Sequence, residues 1–134
     1  MSGESDLREL LRDISPRLLA QDFVFCSFPD SAYGDHAELQ PIAGFAEREG
    51  LTLVIPRVKA DEHSIPYEAV FNCITLDVHS DLEAVGLTAA FATKLTEQGI
   101  SANVIAGYYH DHIFVQQELA QKALAAISAL GQPS

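Results

Sequence analysis

The 134-residue sequence predicts an α+β fold of ferredoxin-like order, with antiparallel sheets, helices on one face, and two small interlocked modules. The strongest observation is a strand at 70–79 that runs directly into a helix ending near residue 99. Two apolar runs and a final helix follow, which complete the order β, α, β, β, α. The first half adds a helix, strands and a short helical turn, so we divide the chain into halves at 1–66 and 67–134.

The strand at 70–79 is predicted because its side chains alternate between an apolar face and a mixed face. The mixed face carries Cys73, Thr75, Asp77 and His79. Asp77 and His79 thus stand near the end of the strand, where the chain turns into the helix. A strand-to-helix corner of this kind presents backbone amides to a small ligand.

The helix that follows is predicted to begin at a capping box and to end at a glycine. Ser80 is the N-cap and Glu83 the third helical residue, so each side chain satisfies the other residue's backbone donor. Gly99 supplies a left-handed stop, which gives about 18 helical residues. Gly86 then lies inside the first helical turns. Because residues 84–92 are almost all apolar, we expect the sheet and a second element or subunit to cover this helix.

The first half begins with a predicted amphipathic helix at 6–14, capped by a serine and ended by Ser15–Pro16. The β-rich run at 22–29 predicts a buried strand. The turn formers at 30–39 predict a loop of about ten residues.

A hairpin is predicted next, with strands at 42–46 and 51–55 joined by a tight turn. Gly50 supplies the positive φ angle that such a turn favours. The polar stretch at 59–69 then predicts one short helical turn and a connection between the two halves.

Apolar runs on either side of 109–112 predict a second hairpin, with His110–Asp111 as its turn. In a regular strand Tyr108 and Tyr109 point to opposite faces, so we expect one to pack inward and the other to lie at a rim or interface. The final helix, at 117–130, has one apolar face and ends at Gly131.

The composition excludes several classes of partner. A net charge of −11 without a basic patch disfavours nucleic acid. The N-terminus lacks an apolar signal core, and no run approaches the roughly 18 apolar residues of a membrane span, so we expect a cytoplasmic protein with no membrane partner. Cys26 and Cys73 lie in apolar strand-like runs, and we expect both to be buried, reduced thiols.

The tripeptide His110–Asp111–His112 contains residue types that bind zinc or similar ions, and a metal-assisted enzyme on this hairpin is one interpretation. A turn at this position separates the two histidines, however, and no CxxC or HExxH motif completes a ligand set. Catalysis by Cys73 with His79 is disfavoured because the two lie about 20 Å apart along an extended strand. We therefore predict no catalytic residue, no metal and no cofactor.

The segments CITLDVHSDLEAVGLTAAFATKL and GISANVIAGYYHDHIFV resemble an uncharacterised family of small bacterial ACT-domain-like proteins, in which two ACT-like modules stand in tandem in one short chain. The resemblance covers most of the chain, including FVFCSFP and EREGLTLVIP. It implies a regulatory βαββαβ module that binds amino acids or related small molecules at the loop after its first strand. No catalytic residues come with it, and no catalytic domain is attached.

The general ACT ligand loop falls here on residues 77–86. The candidate ligand-binding residues are Asp77, His79, Ser80, Asp81, Leu82, Glu83, Val85, Gly86, Tyr108 and His110. Free amides at 82–84 would bind the carboxylate of an amino acid, and Asp77 or Asp81 its ammonium group. The competing interpretation is that Ser80 and Glu83 already saturate those amides, which leaves only a well-made cap.

Two hypotheses about function follow from these observations. The first is a non-catalytic regulatory module that binds an amino acid or related metabolite and works as a dimer or higher oligomer. The alternative is a structural protein–protein interaction module, without ligand, that uses its sheet edge or a helix face. Self-association is expected through the helix at 82–98 or through an open sheet edge.

Overall fold

The computed structural model of the protein describes residues 11–77 and 86–131. The chain forms two compact units. The continuous unit is Ala20–Phe71, and the split unit joins Met1–Leu19 to Asn72–Ser134. One unit is therefore inserted in sequence within the other, in agreement with the predicted interlocking. The division of the family modules at 1–66 and 67–134 stays a prediction.

The continuous unit is a three-stranded antiparallel arrangement with one short helix. Its elements are β1 (Arg17–Phe28, whose first three residues belong to the split unit), β2 (Ala43–Glu47), β3 (Gly50–Pro56) and α1 (Arg57–Glu62), with a 3-10 turn at Ala37–Leu39. The strand order is β2-β3-β1. The predicted hairpin and short helical turn are confirmed. Gly50 has φ 138°, and a Cβ there would lie 2.5 Å from the Pro29 Cα, so only glycine fits the turn.

The core of the continuous unit forms where β1 and β3 face helix α1 and the loop between β1 and β2. Its buried residues are Val24, Cys26, Leu39, Leu51, Leu53, Ile55 and Ala60. Strand β1 begins at Arg17, five residues before the predicted start at Asp22. The prediction was late because the segment before Asp22 has few β-branched or aromatic residues. Leu18 nevertheless packs against the core of the split unit, and such packing outweighs a weak strand propensity.

The split unit has the predicted order β, α, β, β, α. Its elements are β4 (Phe71–Asp77, whose first residue belongs to the continuous unit), α2 (Leu87–Glu97), β5 (Asn103–Ala106), β6 (His110–Gln116) and α3 (Ala120–Leu130), with a 3-10 turn at Gln117–Leu119. The strand order is β4-β6-β5, and β5 pairs with β6 in the antiparallel sense. Within the described residues, no helix is long and apolar enough to cross a membrane.

Both helices of the split unit pack on one face of its strands. Leu87, Phe91 and Leu95 recur at four-residue spacing and form the buried stripe of α2. They share a core with Ile74, Leu76, Ile113, Val115, Ala123 and Ile127. Full burial of one such leucine or phenylalanine stabilises the fold by roughly 1.5–3 kcal/mol. As expected, α2 is covered by its sheet and by a second element, helix α3.

The start of α2 differs from the prediction. Gly86 is the N-cap residue, with φ 93° in the left-handed region, and α2 begins at Leu87. Gly86 therefore does not lie inside a helix, because a left-handed residue cannot continue a right-handed one. The predicted capping box of Ser80 and Glu83 lies outside the described residues. At the other end the prediction is confirmed: Gly99 has φ 74°, and the N–H of Ile100 donates to the carbonyl of Leu95.

The second hairpin turns earlier than predicted. The N–H of Gly107 donates to the carbonyl of His110 at 2.8 Å, so Tyr108 and Tyr109 form the loop. His110 and Asp111 lie on β6, and their assignment to the turn was wrong. The prediction placed the turn by the polarity of the His-Asp pair. The strand instead begins at His110 because Asp111 pairs with Ala106 across the hairpin.

Candidate functional site

The end of strand β4 is held by contacts from two other segments of the split unit. The backbone N–H of Asp77 donates to the carbonyl of Ile14 at 2.6 Å. Oδ1 of the Asp77 carboxylate lies 3.4 Å from Nη2 of Arg17 and 3.0 Å from Nδ1 of His110. We call Arg17, Asp77 and His110 the charged corner. It gathers an anion, a permanent cation and a titratable imidazole where the chain leaves the sheet.

A local sequence signal explains where the strand that carries Arg17 begins, and the sheet order explains how Asp77 meets His110. Ser15 adopts φ 42°, and Pro16 cannot continue a helix, so Arg17 becomes the first residue of β1. Strands β4 and β6 are neighbours, and the last residue of β4 contacts the first residue of β6. Arg17 was missed from the sequence. Its neighbour Pro16 marks the start of an element, but no local pattern links it to a residue 60 positions later.

The charged corner is accessible to solvent. The side chains of Arg17, Asp77 and His110 are 57%, 33% and 41% exposed. Within the described residues the buried Nδ1 atom of His110 makes no hydrogen bond of good geometry, so its contact with Asp77 is an ion pair when the imidazole is protonated. Exposed ion pairs of this kind contribute only about 0–1 kcal/mol. The corner therefore has polar groups that a ligand can engage at little cost to the fold.

A second polar group lies behind His110 on the same face of β6. Nδ1 of His112 lies 3.3 Å from Oγ1 of Thr75, and the two histidine rings are 6.3 Å apart. Burial lowers the pKa of His112, and the charge of His110 lowers it further. His112 is therefore a neutral hydrogen-bonding group at neutral pH. In the described part of the chain, no three His, Cys, Asp or Glu side chains are placed to hold a metal ion.

Asp111 lies on the opposite face of β6 from the two histidines. Its neighbours on that face, Ile113 and Val115, belong to the core beneath the helices. Asp111 itself is only 6% exposed, and burial raises the pKa of its carboxyl group, an effect that the nearby His112 partly offsets. The prediction had placed Asp111 in the hairpin turn. Asp111 lies two residues before Ile113 and four before Val115, and this even spacing was the signal that assigns it to the buried face.

The hairpin loop adds aromatic surface at the same end of the sheet as His110. Tyr108 and Tyr109 are both exposed, with ring centroids 4.9 Å apart in an edge-to-face arrangement. The expectation that one of them packs inward was wrong, because both lie in the loop and not in a regular strand. Two exposed tyrosines next to charged groups can contact the apolar part of a ligand.

The structure places four of the predicted ligand-binding residues and leaves six undescribed. Asp77 and His110 are brought together, Tyr108 lies in the adjoining loop, and Gly86 caps α2. The six that lie outside the described residues are His79, Ser80, Asp81, Leu82, Glu83 and Val85.

Two family models match the chain, one in each half. An ACT domain model matches residues 2–72, and a second ACT domain model matches residues 68–129. A search of curated proteins finds no significant match.

Several solved structures are similar to the chain. The chain is similar to a Vibrio cholerae protein of unknown function, described as a possible transport protein, with 58% identity and a TM-score of 0.88 over 98% of this chain and all of that one. A protein from Agrobacterium tumefaciens has 16% identity and a TM-score of 0.68, with 88% of this chain and 89% of that one covered. The ligand-free regulatory subunit of aspartate kinase from Thermus thermophilus has 10% identity and a TM-score of 0.66, with 90% and 99% covered. The last two likenesses show a shared fold.

Proposed function

The chain belongs to the ACT domain family, with two such domains in tandem, and on that premise we propose that it binds an amino acid or a closely related zwitterion at the charged corner. ACT domains are regulatory and non-catalytic modules. We accordingly propose that this chain signals the level of a small metabolite and does not transform it. The observation that carries the proposal is the placement of Asp77 between Arg17 and His110.

A zwitterion needs a cation for its carboxylate and an anion for its ammonium group, and the corner holds both. The Arg17 guanidinium can bind a carboxylate in a bidentate manner. The Asp77 carboxylate can accept hydrogen bonds from an ammonium group, and Nδ1 of His110 lies 3.0 Å from the same oxygen, Oδ1, that faces Arg17. The Arg17–Asp77 contact is long, at 3.4 Å, and exposed. A ligand that inserts its two charged groups there replaces one weak ion pair with two charge-assisted contacts.

The first turn of α2 supplies the neighbouring backbone donors in this proposal. Because α2 begins at Leu87, the N–H groups of its first turn that have no partner within the helix are those at 87–89. The amides predicted at 82–84 lie outside the described residues. Ligand contacts by His79, Ser80, Asp81, Leu82, Glu83 and Val85 remain part of the proposal. Tyr108 and Tyr109 would contact the ligand's side chain, which favours an apolar or aromatic amino acid.

A thermal-shift screen of the purified protein against the twenty amino acids tests the proposal, because a ligand that binds the native state raises its apparent stability. We expect at least one amino acid to stabilise the protein, and Arg17→Gln and Asp77→Asn each to weaken its binding about tenfold or more in calorimetry. Arg48→Gln is the matched control, since Arg48 forms a similar exposed pair with Glu49 in the continuous unit. An unaffected affinity in both corner variants would place the ligand elsewhere, and a screen without any stabilising amino acid would favour the structural-module hypothesis.

Two further parts of the proposal concern assembly and location. We propose a homodimer, supported by the exposed Tyr108–Tyr109 loop beside strand β5, which ends the strand order of the split unit. We also propose a cytoplasmic location, supported by the two buried free cysteines, Cys26 and Cys73, which suit a reducing compartment.

A further inference from the structure

The continuous unit contains a cavity of about 350 Å³ between the β1–β2 loop and the β2–β3 hairpin. We call it the loop cavity. Its apolar wall includes Leu51 and Leu53, which belong to the buried core of this unit. At its rim are Ile42 and Tyr33, and Tyr33 is 90% exposed. Small-molecule sites typically enclose about 300–1,000 Å³ and are lined mainly by apolar and aromatic groups. The loop cavity fits the lower end of that range.

The loop that forms one side of the cavity is tied down by its own residues. The N–H of Ser31 donates to the carbonyl of Phe28, and the N–H of Ala32 donates to Oδ2 of Asp35 at 2.9 Å. The His36 ring stacks on Phe28 with centroids 4.2 Å apart, and its Nε2 lies 2.8 Å from the Ser31 Oγ. A loop ordered in this way loses little conformational entropy when a ligand binds. The sequence had predicted this segment only as a loop.

The electrostatics of the loop cavity favour a cation. Asp35 is the only lining residue whose side chain is charged at neutral pH, and the lining includes no Lys, Arg or His. Within the part of the chain that the structure describes, no basic side chain lies within ion-pair distance of Asp35. An ammonium group beside the Asp35 carboxylate would be attracted to it and to the face of the Tyr33 ring. A carboxylate on the ligand would be repelled by Asp35 and would have no basic partner among the lining residues.

From the cavity, the ordered loop and the single carboxylate, we propose that the loop cavity is a second small-molecule site that binds apolar primary amines without a carboxylate. The apolar body of the ligand contacts Leu51, Leu53 and Ile42, and its ammonium group lies between Asp35 and the Tyr33 ring. This selectivity differs from that proposed for the charged corner, where the ligand needs both charges. The two proposals therefore stand or fall separately.

Three probes with the same phenyl body test the proposal: 2-phenylethylamine, 2-phenylethanol and 3-phenylpropionate. Each is titrated into the isotope-labelled full chain while backbone amide signals are followed by NMR. We expect 2-phenylethylamine to shift signals from residues 33–53 and to bind at least tenfold more tightly than 2-phenylethanol. We expect 3-phenylpropionate to bind most weakly of the three. Equal binding of all three probes, or shifts confined to other residues, would overturn the proposal.

Two surface variants make the test specific. Asp35→Asn keeps an oxygen for the Ala32 N–H but removes the charge, so the preference for the amine over the alcohol should fall at least fivefold. Tyr33→Ser should weaken the binding of 2-phenylethylamine by a similar factor. Asp30→Asn and Phe45→Ser are matched controls, because neither residue lines the loop cavity. An amine preference that survives Asp35→Asn would contradict the proposed role of this carboxylate.

Discussion

Substitution of Gly86 tests whether this residue caps helix α2 or lies inside it. The sign of the change in stability decides between the two arrangements. Its φ angle of 93° lies in the left-handed region, where a residue with a Cβ pays roughly 1–2 kcal/mol. An unfolding entropy of about 2.1 cal/mol/K per residue gives about 0.28 kcal/mol/K for the 134-residue chain. Gly86→Ala should therefore lower the Tm by about 4–7 °C. Urea unfolding followed by circular dichroism measures the corresponding loss of free energy.

Gly86→Asn is the matched control, since asparagine tolerates the left-handed region better than alanine. The expected order of stability is native protein first, then Gly86→Asn, then Gly86→Ala. If Gly86 lay inside a continuous helix, alanine would instead stabilise the protein by about 1 kcal/mol, and asparagine would gain less. A Tm for Gly86→Ala above that of the native protein would refute the left-handed cap.

Three more predictions follow from buried and exposed groups. Burial raises the pKa of Cys73 to about 11, so its thiol should react with a maleimide far more slowly in native than in urea-unfolded protein. Because the pKa of Asp111 is raised in the folded state, its contribution to stability is present below the unfolded pKa of about 3.9 and is lost as pH rises through the folded pKa. Asp111→Asn should therefore stabilise the protein in urea unfolding at pH 7 and have little effect near pH 3. Light scattering at tens of micromolar should show a dimer, which Tyr108→Ser together with Tyr109→Ser should weaken.

Each of these has an outcome that would count against it. Fast labelling of Cys73 in native protein would contradict its burial in β4. Destabilisation by Asp111→Asn at pH 7 would mean that the ionised carboxylate has a partner that stabilises it. A monomer at every concentration would contradict the predicted dimer. Phe45→Ser is the control, because it removes an exposed aromatic ring from the continuous unit.

The sequence predicts strands and helix ends well where one local pattern has one meaning. The glycines at 50 and 99 follow turn or helix signals, and both adopt the positive φ angles expected of them. Cys26 and Cys73 are buried and unpaired, as their apolar neighbours indicated. The order of elements in the split unit follows from hydrophobic periodicity alone.

The errors in the predicted structure arise where a local pattern is ambiguous or where tertiary contacts determine the conformation. The apolar run that contains Gly86 has helical periodicity whether that glycine lies inside the helix or caps it. The sequence pattern therefore does not determine the sign of the φ angle of Gly86. The polar pair His110–Asp111 looks like a turn, but pairing across the hairpin assigns it to β6. The charged corner depends on Arg17, which meets Asp77 only through folding. Local periodicity carries no information about such a long-range contact.

The most direct test of ligand binding at the charged corner is the imidazole of His110 itself. Its ring nitrogen signals can be followed by long-range proton–nitrogen NMR during titration with the amino acid that stabilises the protein most. The proposal predicts that the His110 signals shift to saturation with the same affinity that calorimetry measures, while those of His36 and His63, in the continuous unit, stay in place. Saturating ligand that leaves the His110 signals unchanged would contradict binding at the charged corner.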